Sequence, residues 1–219
     1  MSISDLLKFG GKRAEVSPGS ASDGPVAQGS DLVMPSKALP KFVGALAGRE
    51  SPILVDFGPV VGPNVAFFGE QLGCKLFIED LASDIERHTR AGTRDVLPEA
   101  LSKRFPKGDA TVDGVLCWDI FDFLERSAAQ ALAREVVRVL RPGGAVMGFF
   151  CNTGIDRAPY TKFEIIEETS LRHRPHNGSG GPKYVLQNRD IIRMFEGLIV
   201  SDSFLLKSST REILLRKRA

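Results

Sequence analysis

Ile53-Leu-Val-Asp56-Phe-Gly58-Pro59-Val-Val-Gly62-Pro-Asn64 reads as a short buried strand, a glycine turn and the start of a helix. A brief apolar run bounded by turn residues has the length of a strand packed on both faces. Gly58 and Gly62 allow a sharp turn and a close backbone approach that a side chain would block. Pro63 suits the first helical position, where an N–H would have no partner anyway. Val65, Phe68 and Leu72 form one apolar face, so a helix is predicted over residues 63–72, with Gly73 ending it. Cys74-Lys-Leu-Phe-Ile78 follows as a second strand, and Asp80 is a candidate cap for a helix over residues 81–88. The whole is a parallel strand–helix–strand unit. In such sheets, ligands bind at the carboxyl edge, where strand ends and helix N-termini meet. Asp56, Gly58, Pro59, Gly62 and Asn64 sit at that edge.

The same alternation continues outward. Gly114-Val-Leu-Cys-Trp118 is a buried strand, residues 127–140 a helix, and Ala145-Val-Met-Gly-Phe-Phe150 another buried strand after Arg141-Pro-Gly-Gly144. Alternating short apolar strands and amphipathic helices imply a parallel sheet covered on both faces. Upstream, residues 10–30 are rich in Gly, Ser, Ala and Pro and bury too little surface to offset chain entropy. A flexible arm is therefore expected over residues 1–35 and one domain over residues 36–219. Leu39, Phe42, Val43 and Leu46 predict a helix after Ser36, with Pro40 in its first turn. Downstream, residues 162–174 are expected to pair with residues 183–187 across the turn Asn177-Gly-Ser-Gly-Gly181. Asn188 then caps a helix to Phe195, and residues 198–206 and 212–217 form a final hairpin. Between residues 91 and 112 no strand is recognisable, only a helical pattern over residues 97–104.

Bulk properties narrow the field. Net charge is +2, with 42% hydrophobic and 26% charged residues, so no strong field favours nucleic acid or an anionic membrane. No apolar run reaches the ~18 residues of a membrane helix. The N-terminus lacks a signal-peptide pattern, and Cys74, Cys117 and Cys151 lie apart in apolar runs, so a cytoplasmic protein without disulfides is expected. His173 and His176 alone fall short of a zinc set, and no metal is expected.

Beyond the glycine turn, three features recur in a definite order. Glu79 ends the second strand; Asp113-Gly-Val-Leu-Cys-Trp118-Asp119 forms the next; Leu140-Arg-Pro-Gly-Gly144 precedes another. Together with Asp56-Phe-Gly-x-x-x-Gly62 they resemble class I S-adenosylmethionine (SAM) dependent methyltransferases over residues 51–150. The resemblance implies a Rossmann-like α/β sandwich with a mostly parallel seven-stranded sheet ending in an antiparallel hairpin. It implies SAM as cofactor, with Asp56, Gly58 and Gly62 facing its methionine part. Glu79, or its neighbour Asp80, would hold the ribose hydroxyls, and Cys117, Trp118 and Asp119 would line the cofactor and substrate side. Residues 160–187 match the place of a substrate-covering insertion. There Tyr160, His173 and His176 are polar candidates, and Arg172, His173, Arg174 and Lys183 are candidates for meeting an anion.

Two departures stand out. Val60 replaces a usual glycine and is expected to narrow the loop, and the third strand of the family has no counterpart. The Asn-Pro-Pro-aromatic motif of amino-methylating nucleic-acid enzymes is absent, Trp118-Asp-Ile-Phe121 standing there. Two functions follow as expectations. One is methyl transfer to a small-molecule or protein acceptor. The other is a methyltransferase-like binding protein without chemistry, recognising a protein partner through the arm that carries Leu6, Leu7 and Phe9.

Overall fold

The computed structural model describes residues 32–104, 108–176 and 180–219. Residues 1–31, most of the arm read from the sequence, lie outside the described residues; Leu32–Pro35 form a strand, β1.

The apolar run at Ile53 becomes β2 (Ile53–Asp56) and the glycine turn leads into α2 (Gly62–Val65), which continues as a π-helical turn over Ala66–Gln71. β3 (Lys75–Ile78) lies parallel to β2, and α3 (Leu81–Ala91) follows. Asp80 caps α3, its side chain accepting hydrogen bonds from Ser83 N and Ser83 Oγ. After α4 (Leu97–Ser102), β4 (Val112–Trp118) enters the sheet with all seven positions buried. α5 (Arg126–Val139) crosses back to β5 (Leu140–Cys151), and α6 (Asn188–Met194) precedes β10 (Leu198–Leu205) and β11 (Thr210–Lys217). The principal sheet has the order β10-β11-β5-β4-β2-β3. β2, β3, β4 and β5 are parallel, and β11 is antiparallel to both β5 and β10.

Two apolar layers sandwich this sheet. One joins α3, α4, α5 and α6; the other joins α1 (Ala38–Leu46), the π turn and part of the insertion. Asp113, wholly buried on β4, accepts Ile53 N at 2.8 Å and pairs with Arg49 at 2.7 Å and Arg141 at 3.0 Å. That cluster ties together the amino ends of β2, β4 and β5.

The insertion departs from its expected pairing. β7 (Thr161–Glu167) pairs with β8 (Ser170–Pro175), and β1 joins β8 in a separate three-stranded sheet. β9 (Gly181–Lys183) pairs instead with β6 (Ile155–Ala158). Arg172 and Arg174 on β8 reach across to Glu164, at 2.9 and 3.2 Å, so the stretch expected as one strand is itself a hairpin. Three further boundaries shift. The principal sheet has six strands among the described residues, the span before β4 being helical. β5 begins at Leu140, so Arg141-Pro-Gly-Gly144 belongs to a strand rather than a break. The cap of α6 is Gln187, which forms a reciprocal capping box with Asp190.

Candidate functional site

Asp56, Glu79 and Asp119 occupy the carboxyl ends of the adjacent strands β2, β3 and β4, as expected for a ligand edge. Each is already engaged. Asp56 is 1% exposed, and its Oδ1 accepts Gly58 N at 2.8 Å and Trp118 Nε1 at 2.6 Å. Burial pushes its pKa up to about 6, against the two N–H groups that favour the ionised form. Glu79 pairs with Arg104 at 3.4 Å, and Arg104 also donates to the Glu79 carbonyl oxygen. Asp119 accepts Thr161 Oγ1 at 3.0 Å and Lys183 Nζ at 2.9 Å. Asp80 serves as the α3 cap.

Trp118 dominates the space above the glycine turn. Its indole is 3% exposed and lies so close to Gly58 that a Cβ there would meet Trp118 Cδ1 and Nε1 at 2.9 Å. The ring stacks on Phe163 of β7 at 5.0 Å, Phe163 stacks on Phe149 of β5 at 4.8 Å, and His173 closes both edges. Trp118 holds φ at +47°, a left-handed backbone unusual for so bulky a residue. Such strain costs ~1–3 kcal/mol and persists where surrounding contacts over-determine it. Here the hydrogen bond to Asp56 and the aromatic stack do so.

The insertion is bolted over this edge at two points. Asn64, buried at the start of α2, donates from Nδ2 to Phe163 O and accepts Ile165 N at Oδ1, both at 2.8 Å. Its carboxamide thus completes the edge of β7 instead of facing a ligand. At the other point, Lys183 on β9 meets Asp119, Asp122 at 3.6 Å and the face of Phe123 at 4.8 Å. Burial raises the Asp122 pKa to about 7, although Lys183 and the Cys151 N–H stabilise its charge. Burial opposes the Lys183 charge, yet Asp119 and Asp122 keep its pKa above the ordinary lysine value.

Val60 does not narrow the turn. It is 70% exposed and lines, with Val61, Gly62 and Pro63, a hollow of about 310 Å³ on the outer side facing Lys162, Glu164 and Arg174. The aromatic Phe163 and the cation Lys183 do the closing, and sequence reading assigned neither that role. Tyr160 is buried against Phe123 at 4.4 Å, and its hydroxyl has no hydrogen-bond partner. Among the described residues no group of three or more His, Cys, Asp or Glu side chains is placed to hold a metal. None of the described helices is long and apolar enough to cross a membrane.

The sequence pattern of a methyltransferase domain family matches residues 55–148, from β2 through most of β5. Over that span the chain matches the methyltransferase domain family. Among solved structures, the family fold is shared with 1,6-didemethyltoxoflavin-N1-methyltransferase of Burkholderia thailandensis, bound to 1,6-didemethyltoxoflavin and S-adenosylhomocysteine. The identity is 17%, the TM-score 0.50, and the alignment covers 84% of this chain and 78% of that one. A Pyrococcus horikoshii OT3 protein aligns at 15% identity over 84% and 92% of the two chains, with a TM-score of 0.47. A glycopeptide N-methyltransferase complexed with SAM aligns at 14% identity over 82% and 92%, with a TM-score of 0.46. No curated protein matches. The same glycopeptide N-methyltransferase and a geranyl diphosphate methyltransferase are also solved with sinefungin.

Whether this chain accommodates a SAM-type ligand is a question of space and free donors. The strand-end acids stand at the expected edge, but the volume over Gly58 is filled by indole and the Asp56 oxygen that would face a ligand is bonded to it. In this arrangement the residues do not fit a methionine moiety over the turn.

Proposed function

We propose that this methyltransferase-like chain is a binding or regulatory protein whose SAM hollow is occupied by its own Trp118. One observation carries the reading: the indole sits on Gly58 and donates to Asp56 at 2.6 Å, in the space the family likeness gives to the methionine part of the cofactor. Three engagements support it. Glu79 is paired with Arg104, Asp119 with Lys183, and Asn64 with the β7 backbone, so binding SAM there means breaking each of them. Exchanging satisfied buried hydrogen bonds for ligand contacts gives no net gain unless the ligand replaces every one.

Isothermal titration of the full chain with SAM and with S-adenosylhomocysteine tests the reading. No saturable heat with either compound is the expected result. Binding in the micromolar range, with methyl transferred to any acceptor, would overturn it.

A second reading is methyl transfer to a small-molecule or protein acceptor. It is favoured by the three acids held at the ends of adjacent strands, the family's arrangement for a nucleoside. It requires the indole to leave Gly58 when SAM arrives. Trp118 is the only tryptophan of the chain, so its fluorescence would then shift on adding SAM.

A further inference from the structure

The sheet edge has a second half. β5 ends at Cys151 and β11 begins beside it at Thr210, and a hollow of about 660 Å³ opens there, lined by Asn152, Gln187, Asn188, Arg189 and Arg211. Two guanidiniums and three carboxamides make up this lining, and no carboxylate belongs to it. Arg211 is half-buried. It donates from Nη1 to Asn188 Oδ1, and from Nη2 to Leu186 O at 2.5 Å and Cys151 O at 3.4 Å. Its Nε is buried without a hydrogen-bond partner. Every fixed partner of this cation is therefore neutral. The carboxyl nearest to it in charge interaction, Asp122, is committed to Lys183 and the Cys151 N–H. Arg189 lies exposed at the rim.

A partly buried guanidinium without a counter-charge is unfavourable, and an anion brought beside it removes that cost. Burial depresses the Arg211 pKa, and the charge of Asp122 offsets this only in part. The number of donors narrows the anion. A carboxylate has two oxygens and a single charge, enough for one guanidinium fork. Two guanidiniums and three carboxamides instead match a tetrahedral dianion, which takes charge-assisted hydrogen bonds from several sides. We propose that the hollow between the β5 end and α6 is a binding site for a phosphoryl group, free or carried by a small molecule, held by Arg211 and Arg189. The site stands apart from the Trp118 edge and does not depend on whether the chain transfers methyl groups.

The experiment uses the full chain and inorganic phosphate, with sulfate, acetate and chloride compared at matched ionic strength. Isothermal titration and the thermal midpoint are the readouts. Saturable phosphate binding is expected, with acetate at least about tenfold weaker, because it offers fewer acceptors for charge-assisted hydrogen bonds. Arg189→Gln, which disturbs no bonded side chain, should weaken phosphate about tenfold or more. Arg211→Gln should abolish binding, and if that variant fails to fold, Arg189→Gln decides. Arg134→Gln on α5 should leave binding unchanged. Phosphate indistinguishable from chloride, acetate as tight as phosphate, or an unaltered affinity in Arg189→Gln would each overturn the proposal. A glucose-phosphate in a second titration separates the sources: tighter binding than inorganic phosphate indicates that the carboxamides read the carrier.

Discussion

The two halves of one sheet edge have opposite chemistry. Over β2 and β4, aromatic rings and internal hydrogen bonds close the edge: Trp118 on Gly58, Phe163 on Trp118, Asn64 on the β7 backbone. Over β5 and β11 the edge stays open, with Arg211 and Arg189 presenting charge that no carboxylate of the lining answers. The fold supplies the same strand ends in both places. What differs is whether the side chains there satisfy one another. Satisfied groups make core, and unsatisfied ones make a site.

The comparison breaks most severely at Trp118. Trp118→Ala should cost ~3–5 kcal/mol, the usual range for a large aromatic removed from a core, and leaves Asp56 with one donor fewer. Urea denaturation followed by circular dichroism measures it, and a loss below about 1 kcal/mol would show the ring to be a loose cover. Lys183→Met should come next, at ~3 kcal/mol, because Asp119 and Asp122 would remain buried without their cation. Adding Asp119→Asn to that variant should recover part of the loss.

The pH dependence of stability sharpens the same contrast. Asp56 and Asp122 have folded pKa values of about 6 and about 7, above the ~3.9 of an unfolded aspartate. The folded chain therefore binds more protons between these values, and stability falls as pH rises from about 4 to 7. Each group contributes up to ~1.4 kcal/mol per pH unit, and nothing further below pH 4. Asp122→Asn should flatten the upper part of the curve; an unchanged slope would move the effect elsewhere. Smallest of all, Val60→Gly should change stability by under ~1 kcal/mol and should not create SAM binding, since the side chain already faces solvent. A gain of SAM affinity in that variant would return the closure to the loop itself.

Most of the layered architecture was legible because it rests on periodicity and punctuation. The strand–glycine–helix turn at Asp56, the helix closed by Gly73 and the terminal hairpin all follow local rules that tertiary contacts did not override. The insertion was less legible. The alternation over residues 162–174 reads as one strand, whereas the chain folds back within it to pair β7 with β8. The site split along the same line. The acids at the strand ends could be placed, because a strand end is a local property. That Trp118 would turn back onto Gly58 depends on a left-handed φ and on Phe163, which lies far along the chain. Arg211 and Arg189 gave no signal at all, since the lack of a counter-charge shows only once the chain has folded around them.

Glu212 joins the two ends of the domain. Wholly buried on β11, it accepts Lys37 N at 2.8 Å and Ala38 N at 3.1 Å, capping the amino end of α1 from the opposite end of the sequence. During synthesis, α1 leaves the ribosome long before its capping carboxylate exists. Until then Lys37 N and Ala38 N lack this acceptor, while Leu39 N already has Ser36 Oγ at 3.1 Å. A contact so distant in sequence is slow to close. Truncation within β11 would accordingly loosen the start of the domain as well as its finish.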